Sequence, residues 1–290
     1  MKCCPRCDAR YESSTAWHCT RCGHEPAIIE GFPAFAPELA SASGGFNAAI
    51  YDELAQLEVR NFWFRSRNRL IAWALKRYFG GARNFLEIGC GTGYVLSGVA
   101  AALPALKLFG SEVSSSGLGY ASKRVPQAQL MQMDARNIPF ADEFDVIGAF
   151  DVIEHIEDDR QVLRQIHRAL AADGGVLLTV PQHPFLWSEY DVRAHHVRRY
   201  RARELKDKVI NAGFRIARMT SFVTLPLPLM ALSRLIQRAP GRAYDPFAEL
   251  RLRSSANAVL EKILGLERSL IASGISFPLG GSLLLVARKR

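Results

Sequence analysis

The stretch that decides the fold reads Phe85-Leu-Glu-Ile-Gly-Cys-Gly-Thr-Gly93. Its apolar start has the look of a short buried strand, and Gly89, Gly91 and Gly93 follow at alternate positions. Glycines so placed let the backbone turn sharply into the next helix and approach a ligand closely. Acidic Glu87 stands two residues before the first of them. The spacing lacks the third-glycine step of the dinucleotide fingerprint, and no lysine follows as in a phosphate-binding P-loop.

Working outward, short apolar runs alternate with amphipathic stretches, the pattern of a parallel sheet with helices on both faces. The predicted strands are 84–89, 107–112, 129–133, 144–150, 175–181, 215–221 and 282–287, seven in all, and the predicted helices are 93–102, 116–124, 158–171 and 202–212. Gly213 falls where a helix commonly ends on a left-handed residue. The predicted strands end, in order, on the glycine loop, on Glu112, just before Asp134, and on Phe150-Asp151-Val-Ile-Glu154-His155. A carboxylate after the second strand can accept hydrogen bonds from both ribose hydroxyls of a nucleoside.

Glycine loop, acidic residues and strand ends together resemble the class I, Rossmann-like S-adenosylmethionine-dependent methyltransferases, over roughly Phe85 to Phe222. The resemblance implies that the loop of Gly89, Gly91 and Gly93 holds the methionine part of S-adenosylmethionine with Glu87 helping to organise it, that Glu112 binds the ribose, and that Asp134 and Ala135 bind the adenine. Asp151 falls in the motif where the methyl group faces the acceptor. Some relatives hold a divalent cation at a carboxylate–x–x–Glu–His arrangement, which here is Asp151, Glu154 and His155. The alternative is that His155 orients substrate or acts as a base.

After the fifth strand comes His195-His196-Val-Arg198-Arg199-Tyr200, similar to a segment of many small-molecule methyltransferases. An imidazole titrates near ~6.5 and could take a proton from an acceptor hydroxyl, so His155 and His196 are the catalytic candidates. Arg198, Arg199 and Tyr200 are the substrate-binding candidates, since guanidinium pairs with carboxylate or phosphate. The competing reading is an internal cluster of salt bridges and caps.

Between the last two strands lies an insertion over 222–280, far longer than an ordinary loop. It opens with the apolar run Phe222 to Ile236, broken by Pro226 and Pro228, carries Arg234, Arg238, Arg242, Arg251 and Arg253, and resumes a helical pattern over 256–271. Apolar surface beside arginines suits a greasy anionic acceptor or peripheral contact with membrane lipid. A helical cap or dimer face is the plainer alternative.

At the other end, Cys4-Pro-Arg-Cys7 and Cys19-Thr-Arg-Cys22 form two paired knuckles eleven residues apart. Four thiolates so spaced make a tetrahedral structural zinc site the expectation, with Cys3, His18 and His24 as substitute ligands. The expected organisation is a zinc ribbon and link over 1–37, a helical lead-in over 38–82 patterned from Asn47 to Tyr78, and a methyltransferase domain over 83–290.

Charge is unevenly spread. Residues 1–80 carry net +2, 81–189 carry −5 and 190–290 carry +12, for +9 in all. The basic third would attract anionic substrate, nucleic acid or acidic lipid. Without a secretory pattern or a run of ~18 apolar residues, the expectation is a cytoplasmic protein with no transmembrane segment. The functional expectation is methyl transfer to a small-molecule or lipid-linked, anionic acceptor. The alternatives are an RNA methyltransferase clamping RNA with ribbon and basic third, and a non-catalytic cofactor-binding scaffold.

Overall fold

The computed structural model describes residues 1–12, 17–41, 48–237 and 251–290. Asn47, Arg238 and Arg242 lie outside them. The N-terminal segment holds β1 (Lys2–Cys3), β2 (Arg10–Tyr11), β3 (Ala27–Ile29) and β4 (Phe32–Ala34), followed by helices α1 (Ala48–Glu58) and α2 (Phe62–Phe79). The alternating core comprises β5 (Asn84–Ile88), α3 (Tyr94–Ala102), β6 (Lys107–Glu112), α4 (Ser115–Arg124), β7 (Gln129–Gln132), β8 (Phe144–Phe150), α5 (Asp159–Ala169) and β9 (Leu170–Pro181). Then come α6 (Glu189–Arg193), α7 (Ala202–Asn211), β10 (Phe214–Phe222), α8 (Leu227–Gln237), α9 (Ser254–Ala272) and β11 (Ser282–Lys289).

All seven expected strands form, in the order β10-β11-β9-β8-β5-β6-β7, but the sheet continues through β4 and β3 to nine. The count of seven is corrected by the link: β3 and β4 make a hairpin whose two turn residues, Glu30 (φ 51°) and Gly31 (φ 86°), are both left-handed, as a tight hairpin requires. Ala34 then pairs in parallel with Gln132 on the edge of β7. The helical lead-in is built of two helices, the second capped by Asn61, which accepts from the Trp63 N–H at 2.8 Å. Gly213 (φ 95°) follows α7 as expected.

Alternate residues of the strands face opposite sides, so two apolar cores form. Leu86, Ile147, Leu283 and Leu285 pack with Val162, Ile166, Leu205 and Val209 of α5 and α7. Phe85, Val146, Leu284 and Val286 pack with Ile71, Leu75, Leu96 and Leu118 of α2, α3 and α4. No helix among the described residues is long and apolar enough to cross a membrane.

Candidate active site

The carboxyl ends of β5, β6, β7 and β8 open into one cavity of about 960 Å³, roofed by α1, α2 and α8. In an open α/β sheet this rim is where ligands bind. Gly89 has φ 66°, and a Cβ there would stand 2.5 Å from Val152 Cγ2. Gly91, at φ 50°, has no atom within 4 Å of where its Cβ would be, so a ligand can approach the bare backbone. Gly93 is placed differently: it precedes α3, packs against Ala121 and does not line the cavity.

Glu112 holds the loop in shape. Its Oε2 accepts from the Gly91 N–H at 2.9 Å and its Oε1 from the Val113 N–H at 2.8 Å. Burial raises its pKa, opposed by those N–H groups and that of Ser114. Glu87 is buried, with one oxygen lacking a hydrogen-bond partner among the described residues, and burial pushes its pKa well up against the pull of Arg67. Asp134 lines the wall beside Ala135 and pairs with Arg136 at 2.7 Å. An unsatisfied carboxyl, a bare glycine backbone and carboxylates at successive strand ends fit the polar groups of a nucleoside bearing an amino acid.

Asp151 adopts φ 58° and donates its N–H to the Thr179 carbonyl at 2.9 Å. Its carboxylate takes the Arg67 guanidinium and the Thr179 hydroxyl, and Arg67 lies 4.4 Å from the Trp63 ring. Beyond it, Glu154 is fully buried with neither carboxyl oxygen hydrogen-bonded among the described residues. Burial first, then the charge of Asp151, lifts its pKa well above the ordinary carboxylate value. Burial, with His196 beside it, lowers the His155 pKa to about 4, so this imidazole is neutral at pH 7. The two histidine rings stand edge to face, centroids 4.7 Å apart.

His196 is held by Asp191, on α6 and fully buried. Asp191 Oδ1 lies 2.8 Å from His196 Nδ1 and accepts from Arg199 Nε at 2.7 Å. Its Oδ2 accepts from the Ser188 N–H at 2.8 Å and lies 3.5 Å from an Arg234 guanidinium nitrogen. Burial works to raise the Asp191 pKa, but the His196 hydrogen bond and the Arg199 charge prevail and hold it at about 2. Asp191 Oδ1 as an acceptor fits a ring proton on Nδ1, which would leave Nε2 as the acceptor nitrogen.

The structure thus brings His155, His196 and Arg199 to the cavity, with Arg234 from the insertion. Arg198 and Tyr200 do not line it. Arg198 pairs with Asp159 at 2.7 Å, and the buried Tyr200 hydroxyl donates to the same carboxylate at 2.6 Å. They brace α5 instead. The cation-site residues regroup too: ligand atoms of Glu154, His155 and His196 lie within 4.8 Å of one another, without Asp151. Arg67, Asp191 and Glu58, which ties α1 to the Thr92 hydroxyl at 2.6 Å and Arg124 at 2.8 Å, went unseen in sequence. Each comes from a different element, and no local spacing marks it.

At the N-terminus the sulfurs of Cys4, Cys7, Cys19 and Cys22 lie within 4.8 Å of one another. The Cys4–Cys22 and Cys7–Cys19 Sγ separations are both 3.6 Å. Four sulfurs ~2.3 Å from one zinc would stand about 3.8 Å apart, so these thiols fit the ion. Cys3 is not in the group.

Sheet order and cavity define a class I, Rossmann-like methyltransferase fold. Residues 55–218 match the family described as a methyltransferase domain, and the chain belongs to that family. It is 29% identical over 164 residues to a probable S-adenosylmethionine-dependent methyltransferase of Mycobacterium tuberculosis, covering 56% of this chain and 58% of that one. It is 28% identical to a demethylmenaquinone methyltransferase of Chlorobaculum parvum, over 47% and 57% of the two chains. The chain therefore spans little over half the length of these relatives. Among solved structures, phosphoethanolamine N-methyltransferase 2 of Haemonchus contortus superposes with a TM-score of 0.57 at 21% identity, covering 90% of this chain and 61% of that one.

Proposed function

We propose that the protein transfers a methyl group from S-adenosylmethionine to a small-molecule or lipid-linked anionic acceptor. The observation that carries this reading is one cavity with a nucleoside-binding rim at one end and a cationic, apolar-walled pocket at the other. S-adenosylmethionine, held by Glu87, Gly89, Gly91, Glu112, Asp134 and Ala135, would supply an electrophilic methyl group. At the other end Arg199 and Arg234, both paired with Asp191, line the cavity and would attract an acid or phosphate on the acceptor. Pro226, Leu229 and Met230 of the insertion wall the same space. His196 Nε2 would accept the proton the acceptor loses, with the His155 ring packed edge to face against it. Much of the remaining rate would come from positioning.

The Chlorobaculum relative is named for a menaquinone precursor, which agrees with a lipid-linked acceptor. Leu229 (60%), which lines the cavity, and Leu232 (54%) are exposed on α8, suiting peripheral contact with a membrane that holds such a substrate. Zinc on Cys4, Cys7, Cys19 and Cys22 would be structural. Labelled S-adenosylmethionine incubated with lipid, small-molecule and RNA fractions of host extract tests the reading. Label in the first two, slowed by His196→Gln, supports it; label in RNA alone would transfer the site to an RNA substrate.

A further inference from the structure

Gln132 ends β7, one residue before the loop that carries Asp134, and it is fully buried. Its Nε2 donates to the Ala36 carbonyl at 2.7 Å and to the Val113 carbonyl at 2.9 Å. Its Oε1 accepts from the Ala36 N–H at 3.0 Å, and its backbone carbonyl accepts from the Phe35 N–H at 2.9 Å. One amide therefore ties three segments together: the link from the cysteine ribbon, the loop after Glu112 and the loop before Asp134. Val113 is the residue whose N–H holds Glu112 Oε1, and the Met133 N–H donates to the Glu112 carbonyl at 3.0 Å.

The ribbon is fixed to the same place from outside. Trp17 packs edge-on against Phe35 and Phe140, with centroids 4.4 and 5.2 Å away. The Cys3 N–H donates to the Pro139 carbonyl at 3.0 Å, and the Ala40 carbonyl accepts from the Ser115 N–H at 3.2 Å. Leu39, in the same link, reaches the cavity wall. Covering the sheet edge needs only backbone pairing and apolar side chains. A buried amide is costly unless its bonds are made, and here the donors and the acceptor are all used across the three segments.

We propose that the N-terminal ribbon acts in cis as a clamp on the cofactor loops, with Gln132 the positioning residue that joins ribbon to loops. The clamp rests on the cofactor reading above and adds that ribbon and cofactor affinity are linked. Linkage is reciprocal, so cofactor should in turn steady the ribbon's link.

The test uses the full chain and S-adenosylhomocysteine. Calorimetry on Gln132→Met, run well below its melting temperature, should show Kd raised roughly fivefold or more, the lower range for coupled sites. Trp17→Ala, which removes the ribbon's ring contacts with Phe35 and Phe140 and leaves Gln132 in place, should act in the same direction, and the double variant should add little to either. On the wild-type protein, S-adenosylhomocysteine should slow hydrogen exchange at the Phe35 and Ala36 amides, a readout that stands even if Gln132→Met folds poorly. A role confined to stability would lower melting temperatures and leave Kd and hairpin exchange alone, which overturns the clamp. Wild-type protein that binds no S-adenosylhomocysteine overturns the cofactor reading itself, and the clamp with it.

Discussion

Asp191→Asn puts the acceptor end of the cavity to its sharpest trial. The carboxylate offers Oδ1 to His196 and Arg199 and Oδ2 to Ser188 and Arg234. A carboxamide has one oxygen, so its NH2 must face donors on one side or the other. The charge opposite two buried guanidinium groups is also gone. Breaking a buried ion pair from one side costs about 3–5 kcal/mol, because the remaining charge stays buried and unpaired. The pKa gives an independent figure. A carboxyl held at about 2 against an ordinary ~3.9 corresponds to about 2–3 kcal/mol at neutral pH. The two agree on a loss of about 3 kcal/mol, a fall of about 6–12 °C in melting temperature for a domain of this size. The sign with pH follows from the depressed value. Stability from Asp191 is present in full above about pH 4 and is lost as pH falls towards about 2, so wild type and variant should converge in acid. Urea unfolding at pH 7 and at pH 3 measures both. Function should separate as well. With the amide turned towards His196, the ring proton moves to Nε2 and the base is lost, slowing transfer by roughly a hundredfold or more, while the Kd for S-adenosylhomocysteine stays within about twofold. A variant as stable and as active as wild type at pH 7 would refute the network as the support of His196.

Three further outcomes are expected. Glu112→Ala should weaken S-adenosylhomocysteine binding about tenfold in calorimetry, the scale of a lost charge-assisted bond; unchanged affinity would move the ribose site elsewhere. Protein purified without chelator should carry one zinc per chain by elemental analysis, and Cys19→Ser should lose it; full retention would hand the ligand role to Cys3 or a histidine. Leu229→Glu with Leu232→Glu should reduce co-sedimentation with anionic phosphatidylglycerol vesicles several-fold while leaving far-UV circular dichroism unchanged; equal sedimentation would show that α8 is not the lipid contact.

Local pattern determined much of this protein. The run from Phe85 to Gly93 specified a strand, a bare-backbone loop and a helix, because period-two burial and glycine spacing are short-range properties of the chain. Carboxylates at successive strand ends were legible for the same reason, and so were the paired cysteines. Even the missed β3–β4 hairpin had a local mark, Glu30-Gly31 between apolar pairs. What only the tertiary structure decided is which side chains share a partner. Arg198, Arg199 and Tyr200 are neighbours in sequence, yet Arg199 turns to Asp191 and the cavity while the other two turn inward to Asp159. Gln132 reads as one polar residue ending a strand until the link folds back onto it, and Arg67 reaches Asp151 only because α2 crosses the strand ends. Hydrogen bonds and ion pairs act over a few ångströms, and the residues that fall within that reach are set by how distant segments pack, which no spacing along the chain records.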